Sequence, residues 1–429
     1  MLQVLKRNPA FRRLWLAQVV TQAGDWLNRM AVLALIAHLG GTSALGAAGV
    51  LFAGEIALRL MPAALLGPLA GSIADRVSRR GTMIASDLIR ALVVLALLMV
   101  NEPGDLPLLY GLLFAQMALG PFHEAAHSAT VPNLVQREDL HAAYGLTAIT
   151  WSTMLTLGAV AGGLLLELVG VKWVFVIDAG TYLVSAVLLL SLRLPGPPPQ
   201  PDRFSLRRVL VLSELREAWQ HLCERRVSSG ISAKWHWGVA GGYLVCLSLL
   251  GREMSADTTV AGAGLSISLL YAARGLGTGV GPIVARRLAG STDRGLRIST
   301  ALGFLVAGIG YSLVALAEGP VWIFCLIALA HTGGSTIWVG STTLWQRGVH
   351  DRWRGRIQST ENLGLALSFS FMGGLVGFAY DQGMSLSAIF GVLSMLTICS
   401  GAAWILRAQR EAGRGGTGAA APVESGPQL

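Results

Sequence analysis

Apolar runs of about 20 residues or more recur along the whole chain and are separated by short polar segments. An α-helix rises about 1.5 Å per residue and the hydrocarbon core of a bilayer is about 30 Å thick, so each run is long enough to cross a membrane. The pattern predicts spans at residues 14–38, 44–70, 82–101, 107–129, 145–168, 171–192, 230–251, 261–286, 296–317, 320–344, 358–380 and 385–407. We therefore expect an all-α membrane protein with twelve transmembrane helices.

The composition supports a surface that faces lipid. Only 13% of the residues are charged, against about 25% in soluble domains, and 53% are hydrophobic. The 53 glycines suit close packing between membrane helices. The four cysteines have no C-x-x-C spacing, so neither a disulfide framework nor a thiolate metal site is predicted. The first apolar run is too long for a cleavable signal and should insert as the first span.

The basic residues are unevenly distributed between the loops. Of the 33 lysines and arginines, 26 fall in the two tails and in alternate loops, whereas only Lys172 and Arg252 fall in the opposite loops. Under the positive-inside rule both termini should be cytoplasmic, in a plasma membrane or a bacterial inner membrane. The net charge of +9 thus has a topological explanation, and we expect the lipid bilayer rather than nucleic acid as the partner.

A long polar segment divides the chain into two halves. Arg59 precedes Gly67-Pro68 in the second span, and Arg274 precedes Gly281-Pro282 in the eighth, which is a weak internal repeat. Two six-helix bundles related by a parallel pseudo-two-fold axis would explain it. The predicted units are an N-terminal bundle at 1–192, a cytoplasmic linker with an amphipathic helix at 193–229, a C-terminal bundle at 230–409 and a disordered tail at 410–429.

The loop after the second span has the sequence Gly71-Ser-Ile-Ala-Asp75-Arg76-Val-Ser-Arg79-Arg80. This resembles the G-x-x-x-D-R-x-x-R-R signature of the major facilitator superfamily, in which a loop at this place latches the outward-open state. Gly71 would allow close helix contact, Asp75 would lie at the positive N-terminus of another helix, and the arginines would pair with carboxylates. The alternative is that the loop only sets the topology.

Further stretches extend the resemblance along most of the chain. GDWLNRMAVLAL, GPLAGSIADRVSRRGTMIASDLIRA, VPNLVQREDLHAAYGL, VFVIDAGTYLVSAVLL and DRWRGRIQS look like the drug-efflux branch that includes macrolide and siderophore exporters. Antiporters of the superfamily often carry G-P-x-x-G-G in the fifth span. Here Gly158-Ala159-Val-Ala-Gly162-Gly163 stands at that place. The packing glycines remain, but Ala159 in place of proline weakens the prediction of proton antiport.

The first two spans each carry an acid and a base four residues apart. Asp25 and Arg29 share one face of the first span, and Glu55 and Arg59 share one face of the second. Because the two helices run in opposite directions, residue counting places Asp25 level with Arg59 and Arg29 level with Glu55. We expect a neutral cluster of four charges that couples a proton, carried by Glu55, or a charged substrate to transport. A static ion-pair network is the alternative.

Other polar side chains inside spans should face a substrate cavity, because they avoid lipid. They are Gln18, Gln22, Gln116, His123, His127, Asp178, His331, Ser335, Trp338 and Thr342. For Trp338, interfacial anchoring or packing is an equal alternative. Asp87 and Arg90, in the third span, are expected to form a structural i, i+3 pair near the latch loop.

The fourth span contains His123-Glu124-Ala-Ala-His127, a literal H-E-x-x-H. On a helix this pattern places two histidines on one face to bind zinc, with the glutamate as general base. An intramembrane metalloprotease is therefore an alternative from the enzyme class. A catalytic zinc needs a third protein ligand, and the sequence offers no motif for one. We favour cavity-lining or capping roles for these residues, and we predict no metal.

The sequence contains no P-loop, so an ion gradient rather than ATP should supply the energy, and no cofactor is expected. The resemblance implies a monomeric secondary transporter that exports a small amphipathic compound by alternating access, driven by protons. A lysophospholipid or metabolite transporter of the same fold remains an alternative. So does a receptor that binds ligand without flux.

Overall fold

The computed structural model describes residues 2–40, 48–74, 76–136, 139–192, 228–255, 259–290, 292–349 and 351–415. Its regular structure in these ranges is helical, without a β-strand. The first half comprises α1 Leu2–Arg7, α2 Pro9–Leu39, α3 Ala48–Ala74, α4 Arg79–Ala96, α5 Leu106–Leu134, α6 Leu140–Thr153 and α7 Ala159–Leu190. The second half comprises α8 Ser228–His236, α9 Ala240–Met254, α10 Val260–Ala289, α11 Asp293–Val314, α12 Pro320–Gly348, α13 Asp351–Asp381 and α14 Leu386–Gly415.

Where the structure describes it, each predicted span lies mostly in helix. Within the described residues, nine helical stretches are long and apolar enough to cross a membrane. One of these, Ala142–Leu190, is interrupted at Gly170, where φ is +80°, and thus contains two spans. The other two predicted spans correspond to α2 and to the α8–α9 segment, which carry charged residues in their interiors. The expectation of an all-α protein that crosses the membrane many times is confirmed.

The chain folds back along α2 at Gly170. A Cβ on Gly162 would lie 2.8 Å from Met30, so α7 before the turn packs directly on α2. A Cβ on Gly24 would lie 3.0 Å from the Cβ of Thr181, so α7 after the turn packs on α2 as well. The predicted packing role of the glycines around Ala159 is thereby confirmed.

The C-terminal boundary differs from the prediction. The expected disordered tail begins at residue 410, but α14 continues to Gly415. Residues 408–412 (AQREA) are strong helix formers, and the helix ends where consecutive glycines begin. Residues 416–429, and the predicted linker helix within 193–227, lie outside the described residues.

The two halves contact each other near the end of α2. We call the side where α2 begins, at Pro9, the amino-terminal side, and the side where α2 ends, at Leu39, the opposite side. On the opposite side the backbones of α3 and α13 touch, so that a Cβ on Gly49 would collide with the carbonyl oxygen of Gly377. Residues 30–37 of α2, which run toward that side, are at most 4% exposed.

Two glycines near the amino-terminal side of α3 lack such contacts with the described residues. At Gly67 and Gly71 a Cβ would meet no atom of the described chain within 4 Å, apart from the backbone of its own turn. The close helix contact predicted at Gly71 is therefore not formed with the described residues. The structure is closed on the opposite side.

Candidate functional site

Two arginines share one buried glutamate between α2 and α3. The side chain of Glu55 is fully buried, and its Oε1 accepts a hydrogen bond from Nε of Arg59, one helical turn later in α3. Nε of Arg29, in α2, lies 3.5 Å from the same oxygen. The predicted pairing of Arg29 with Glu55 across the helix interface is confirmed.

The other half of the predicted four-charge cluster is wrong. Asp25 pairs with Arg90 of α4, not with Arg59, and the distance from Oδ1 to Nη2 is 2.7 Å. The hydroxyl of Tyr182, in α7, donates to the same carboxylate. Counting residues predicts how far along the axis of α2 Asp25 lies, but not which neighbouring helix its side chain faces. The helices that it faces are α4 and α7.

Asp87 also has a different partner from the one predicted. Its Oδ1 lies 2.9 Å from Nδ1 of His123, and its Oδ2 accepts a hydrogen bond from Ser185 at 2.7 Å. The expected pair between Asp87 and Arg90 is therefore wrong, since Arg90 turns toward α2. Arg90 also stacks on the ring of Tyr182, at 4.4 Å from the centroid.

These groups, with one more carboxylate, form a polar network inside the first half. Asp178 is fully buried, and the hydroxyl of Thr181 lies 3.4 Å from its Oδ1. We call Asp25, Asp87, Arg90, His123 and Asp178 the acid cluster. It combines three carboxylates with one arginine and one histidine. Asp178, which sequence analysis placed in the substrate cavity, thus lies with the other acids of the first half.

The H-E-x-x-H string does not form a zinc centre. The rings of His123 and His127 are stacked, with centroids 6.4 Å apart, and His123 is held by Asp87. Glu124 accepts a hydrogen bond from Ser128. Across the described residues, no three His, Cys, Asp or Glu side chains are grouped to hold a metal ion. Gln116, on the same helix, is buried and donates to Tyr182 at 3.2 Å.

Arginines of the two halves meet at Tyr271 of α10. The guanidinium carbon of Arg29 lies 5.1 Å from the centroid of the Tyr271 ring, and that of Arg274 lies 5.8 Å from it. Nε of Arg274 donates to Nε2 of His331 at 3.2 Å. We call Arg29, Glu55, Arg59, Tyr271 and Arg274 the arginine centre. Sequence analysis named Arg274 only as part of the repeat.

The polar stripe predicted in α12 is divided between different neighbours. His331 is buried between Arg274 and the hydroxyl of Tyr311, which lies 2.6 Å from its Nδ1. Ser335 donates to the carbonyl of Gly277 at 3.3 Å and so joins α12 to α10. Thr342 is bonded to the carbonyl of Trp338 within its own helix. Of the predicted residues in this stripe, His331 is the one in contact with the arginine centre.

The remaining predicted cavity residues lie on α2. Gln18 is 5% exposed and lies beside Thr147 of α6, with 3.4 Å between their side-chain oxygens. Gln22, one turn later, is half-buried. Both residues therefore lie where α2 approaches α6, on the amino-terminal side of the arginine centre.

A second buried ion pair lies in the second half, and sequence analysis did not find it. Nζ of Lys234 is 2.8 Å from Oε2 of Glu361, and the two side chains are 2% and 0% exposed. Nε1 of Trp345 donates to Oε1 of Glu361 at 3.0 Å. Lys234 also lies 4.3 Å from the ring centroid of Trp338. The sequence does show a lysine and a glutamate inside apolar runs. Because they are 127 positions apart, the sequence does not show that they pair.

The predicted latch loop binds helix ends of its own half. Nη1 of Arg79 donates to the carbonyl of Ala129 at 2.8 Å, and Nη1 of Arg80 donates to the carbonyl of Leu192 at 2.8 Å. Among the described residues these two arginines bind carbonyls near helix ends, where the partial negative charge attracts cations, and their predicted pairing with carboxylates stays a prediction. Asp75 lies outside the described residues, and Arg76 follows the end of α3.

Comparison with known proteins gives a consistent result. The sequence model of the Major Facilitator Superfamily matches residues 14–378. The enterobactin exporter EntS of Citrobacter koseri is 28% identical over 428 residues, with 92% of this chain and 94% of that protein covered. EntS of Escherichia coli O81 shows the same identity and coverage.

Solved structures share the fold. A point mutant of the nucleoside transporter NupG superposes with a TM-score of 0.69 at 13% identity and covers 92% of this chain and 99% of its own. A POT family transporter in complex with 5-aminolevulinic acid gives a TM-score of 0.71 at 14% identity, covering 94% and 97%. A bacterial homolog of the human lysosomal transporter Spinster gives 0.66 at 15% identity, covering 94% and 98%. At these identities the likeness concerns the fold alone.

Proposed function

Because this chain belongs to the major facilitator superfamily, and is a transporter rather than an enzyme, we propose that it exports a small amphipathic organic compound by alternating access. The metalloprotease alternative is wrong on the same grounds. The observation that carries the proposal is the arginine centre, where charged residues of α2 and α3 meet Tyr271 and Arg274 of α10 between the two halves. A ligand bound there would contact both halves, as rocking around a fixed site requires.

We propose that the amino-terminal side is the cytoplasm. The support is the distribution of 26 of the 33 basic residues on that side. The described state would then be open toward the cytoplasm and closed toward the outside. In the state open toward the outside, Gly49 and Gly377 would have to move apart.

Export is the proposed direction of transport because the similar curated proteins are named exporters.

For energy coupling we propose that the acid cluster, rather than Glu55, takes up the proton. Among the described residues Glu55 is the one carboxylate paired with Arg29 and Arg59, so neutralising it would leave their positive charge without this counter-charge. In the acid cluster, carboxylates outnumber the arginine and histidine, and among the described residues Asp178 forms no ion pair. A proton there reduces an excess of negative charge.

The test is transport by the purified protein in proteoliposomes with an imposed proton gradient. A panel of fluorescent amphipathic compounds would be loaded on the amino-terminal side, with protein-free liposomes and a protonophore as controls. We expect gradient-dependent export of at least one class of compound. Absence of flux for every class would contradict export, and binding without flux would favour the receptor alternative. Flux restricted to lysophospholipids would favour the lipid transporter.

A further inference from the structure

The arginine centre has an excess of positive charge. Arg29 and Arg59 share the carboxylate of Glu55, and Arg274 lies by the Tyr271 ring that Arg29 also contacts, so that among the described contacts one carboxylate serves three guanidinium groups. The described contacts of Arg274 are with His331 and the ring of Tyr271, neither of which is an anion. Burying charge without a counter-charge is costly, so proteins keep such an arrangement mainly where an anion completes it.

The centre also has more hydrogen-bond donors than it uses. Nη2 of Arg59 and Nη1 of Arg274 are buried and have no hydrogen-bond partner among the described residues, and Nε of Arg29 lies 3.5 Å from the Glu55 carboxylate without forming a hydrogen bond. The guanidinium nitrogens can only donate. A ligand that satisfies them must supply acceptor oxygens, and charged acceptors form the strongest bonds of this kind.

The centre is not sealed by its own side chains. Arg29 and Arg59 are 14% and 13% exposed, whereas Glu55 between them is fully buried. The ring of Trp26 lies 5.4 Å from the guanidinium carbon of Arg29, on the same helix. Tyr271 is fully buried, so the aromatic surface next to Arg29 that a ligand can reach is that of Trp26, which is 9% exposed. An aromatic surface beside the donors suits a ligand with an apolar or aromatic body next to its charge.

We propose that the substrate is an organic anion, whose acidic group binds Arg29, Arg59 and Arg274 and whose apolar part lies beside Trp26. This rests on the proposed function, because it names the substrate class of the same site. The anion would bridge helices α2, α3 and α10 and so would be held by both halves at once. A neutral compound of the same shape would leave the donors unsatisfied.

The test compares 2-naphthoate with its uncharged counterpart 2-naphthamide in equilibrium dialysis against the purified full-length protein. We expect the acid to bind at least about tenfold more tightly than the amide, since charge-assisted bonds are lost with the amide. Arg274→Gln should weaken naphthoate binding by about tenfold and leave naphthamide binding unchanged. Lys172→Gln removes one positive charge from a position outside the centre and is the matched control.

Equal affinity of the wild-type protein for acid and amide would overturn the proposal, and so would failure to bind naphthoate. This comparison needs no variant, so it stands even where Arg274→Gln does not fold. Displacement of naphthoate by lysophosphatidylglycerol would identify a lipid headgroup as the source of the anion, and lack of displacement would identify a soluble one. Gradient-driven export of neutral compounds alone would sink the anion proposal while leaving the exporter intact.

Discussion

The carboxylate of Asp381 accepts a hydrogen bond from the backbone N–H of Gly49, at 2.9 Å. Its second oxygen accepts from the N–H of Val50, also at 2.9 Å. Asp381 ends α13 in one half, and these N–H groups open α3 in the other. The first N–H groups of a helix lack partners within the helix and carry partial positive charge, so a carboxylate is the favoured cap. The cap of α3 is thus a contact that the proposed alternating access would have to break.

The glycine pair below this cap predicts a conformational shift. A Cβ on Gly377 would collide with the carbonyl oxygen of Gly49, so Gly377→Ala should push α13 and α3 apart. Overpacking of this kind costs about 1–3 kcal/mol, enough to shift the ratio of the two states by about tenfold. Spin labels at Glu102 and Glu318, in a background without native cysteines, should show a longer distance between the two loops on the opposite side.

Gly374→Ala is the matched control, because a Cβ at Gly374 meets no described atom within 4 Å outside its own turn. It lies one turn earlier on α13 and should leave the label distance unchanged. An unchanged distribution in Gly377→Ala as well would contradict the role of this contact in closure.

Removing the Asp381 carboxylate should have a smaller effect in the same direction. Loss of a helix cap costs about 1 kcal/mol, which corresponds to about a fivefold increase in the state open on the opposite side. The same pair of spin labels would measure it in Asp381→Ala. Asp293→Ala removes a carboxylate that is 67% exposed and pairs with Arg347 on the surface, so it should not alter the distribution. If both variants behave alike, the cap does not hold the halves together.

Proton coupling is tested by two isosteric substitutions. Asp178→Asn should abolish the dependence of export on the proton gradient while leaving downhill flux, because the carboxylate without an ion pair is removed. Glu55→Gln should instead impair flux under all conditions, since Arg29 and Arg59 lose their shared counter-charge. Export in proteoliposomes with and without a gradient separates the two. If Glu55→Gln instead abolishes the gradient dependence and Asp178→Asn impairs flux under all conditions, Glu55 is the proton carrier.

Most of the fold follows from the sequence, because the length of an apolar run maps directly onto a membrane helix. The pair of Arg29 and Glu55 follows too, since counting residues along two antiparallel neighbours gives their relative level. The same counting fails for Asp25, whose partner depends on which helix lies beside it around the α2 axis. That neighbour, α4, supplies Arg90 from 65 positions away.

The contacts between the halves were beyond sequence analysis for a related reason. Asp381 lies at the end of a predicted span, where an acid is ordinarily a loop residue, and its partner is 332 positions away. Arg274 belongs to the repeat, but its place beside Tyr271 and Arg29 follows from how α10 packs against the first half. A pattern along one chain does not specify the packing of the two bundles.

The buried pair of Lys234 and Glu361 predicts a large and separable effect on stability. Lys234→Met should lower the free energy of unfolding by about 3–5 kcal/mol, because it leaves the charge of Glu361 buried without its partner. Adding Glu361→Gln should recover most of that loss, since no unpaired charge remains. Thermal unfolding of the purified protein in detergent would compare the single and double variants. Arg347→Gln breaks a pair whose side chains are 45% and 67% exposed, so its cost should stay below about 1 kcal/mol. A double variant as unstable as Lys234→Met would show that the effect comes from lost packing around Trp338 and Trp345 rather than from the unpaired charge.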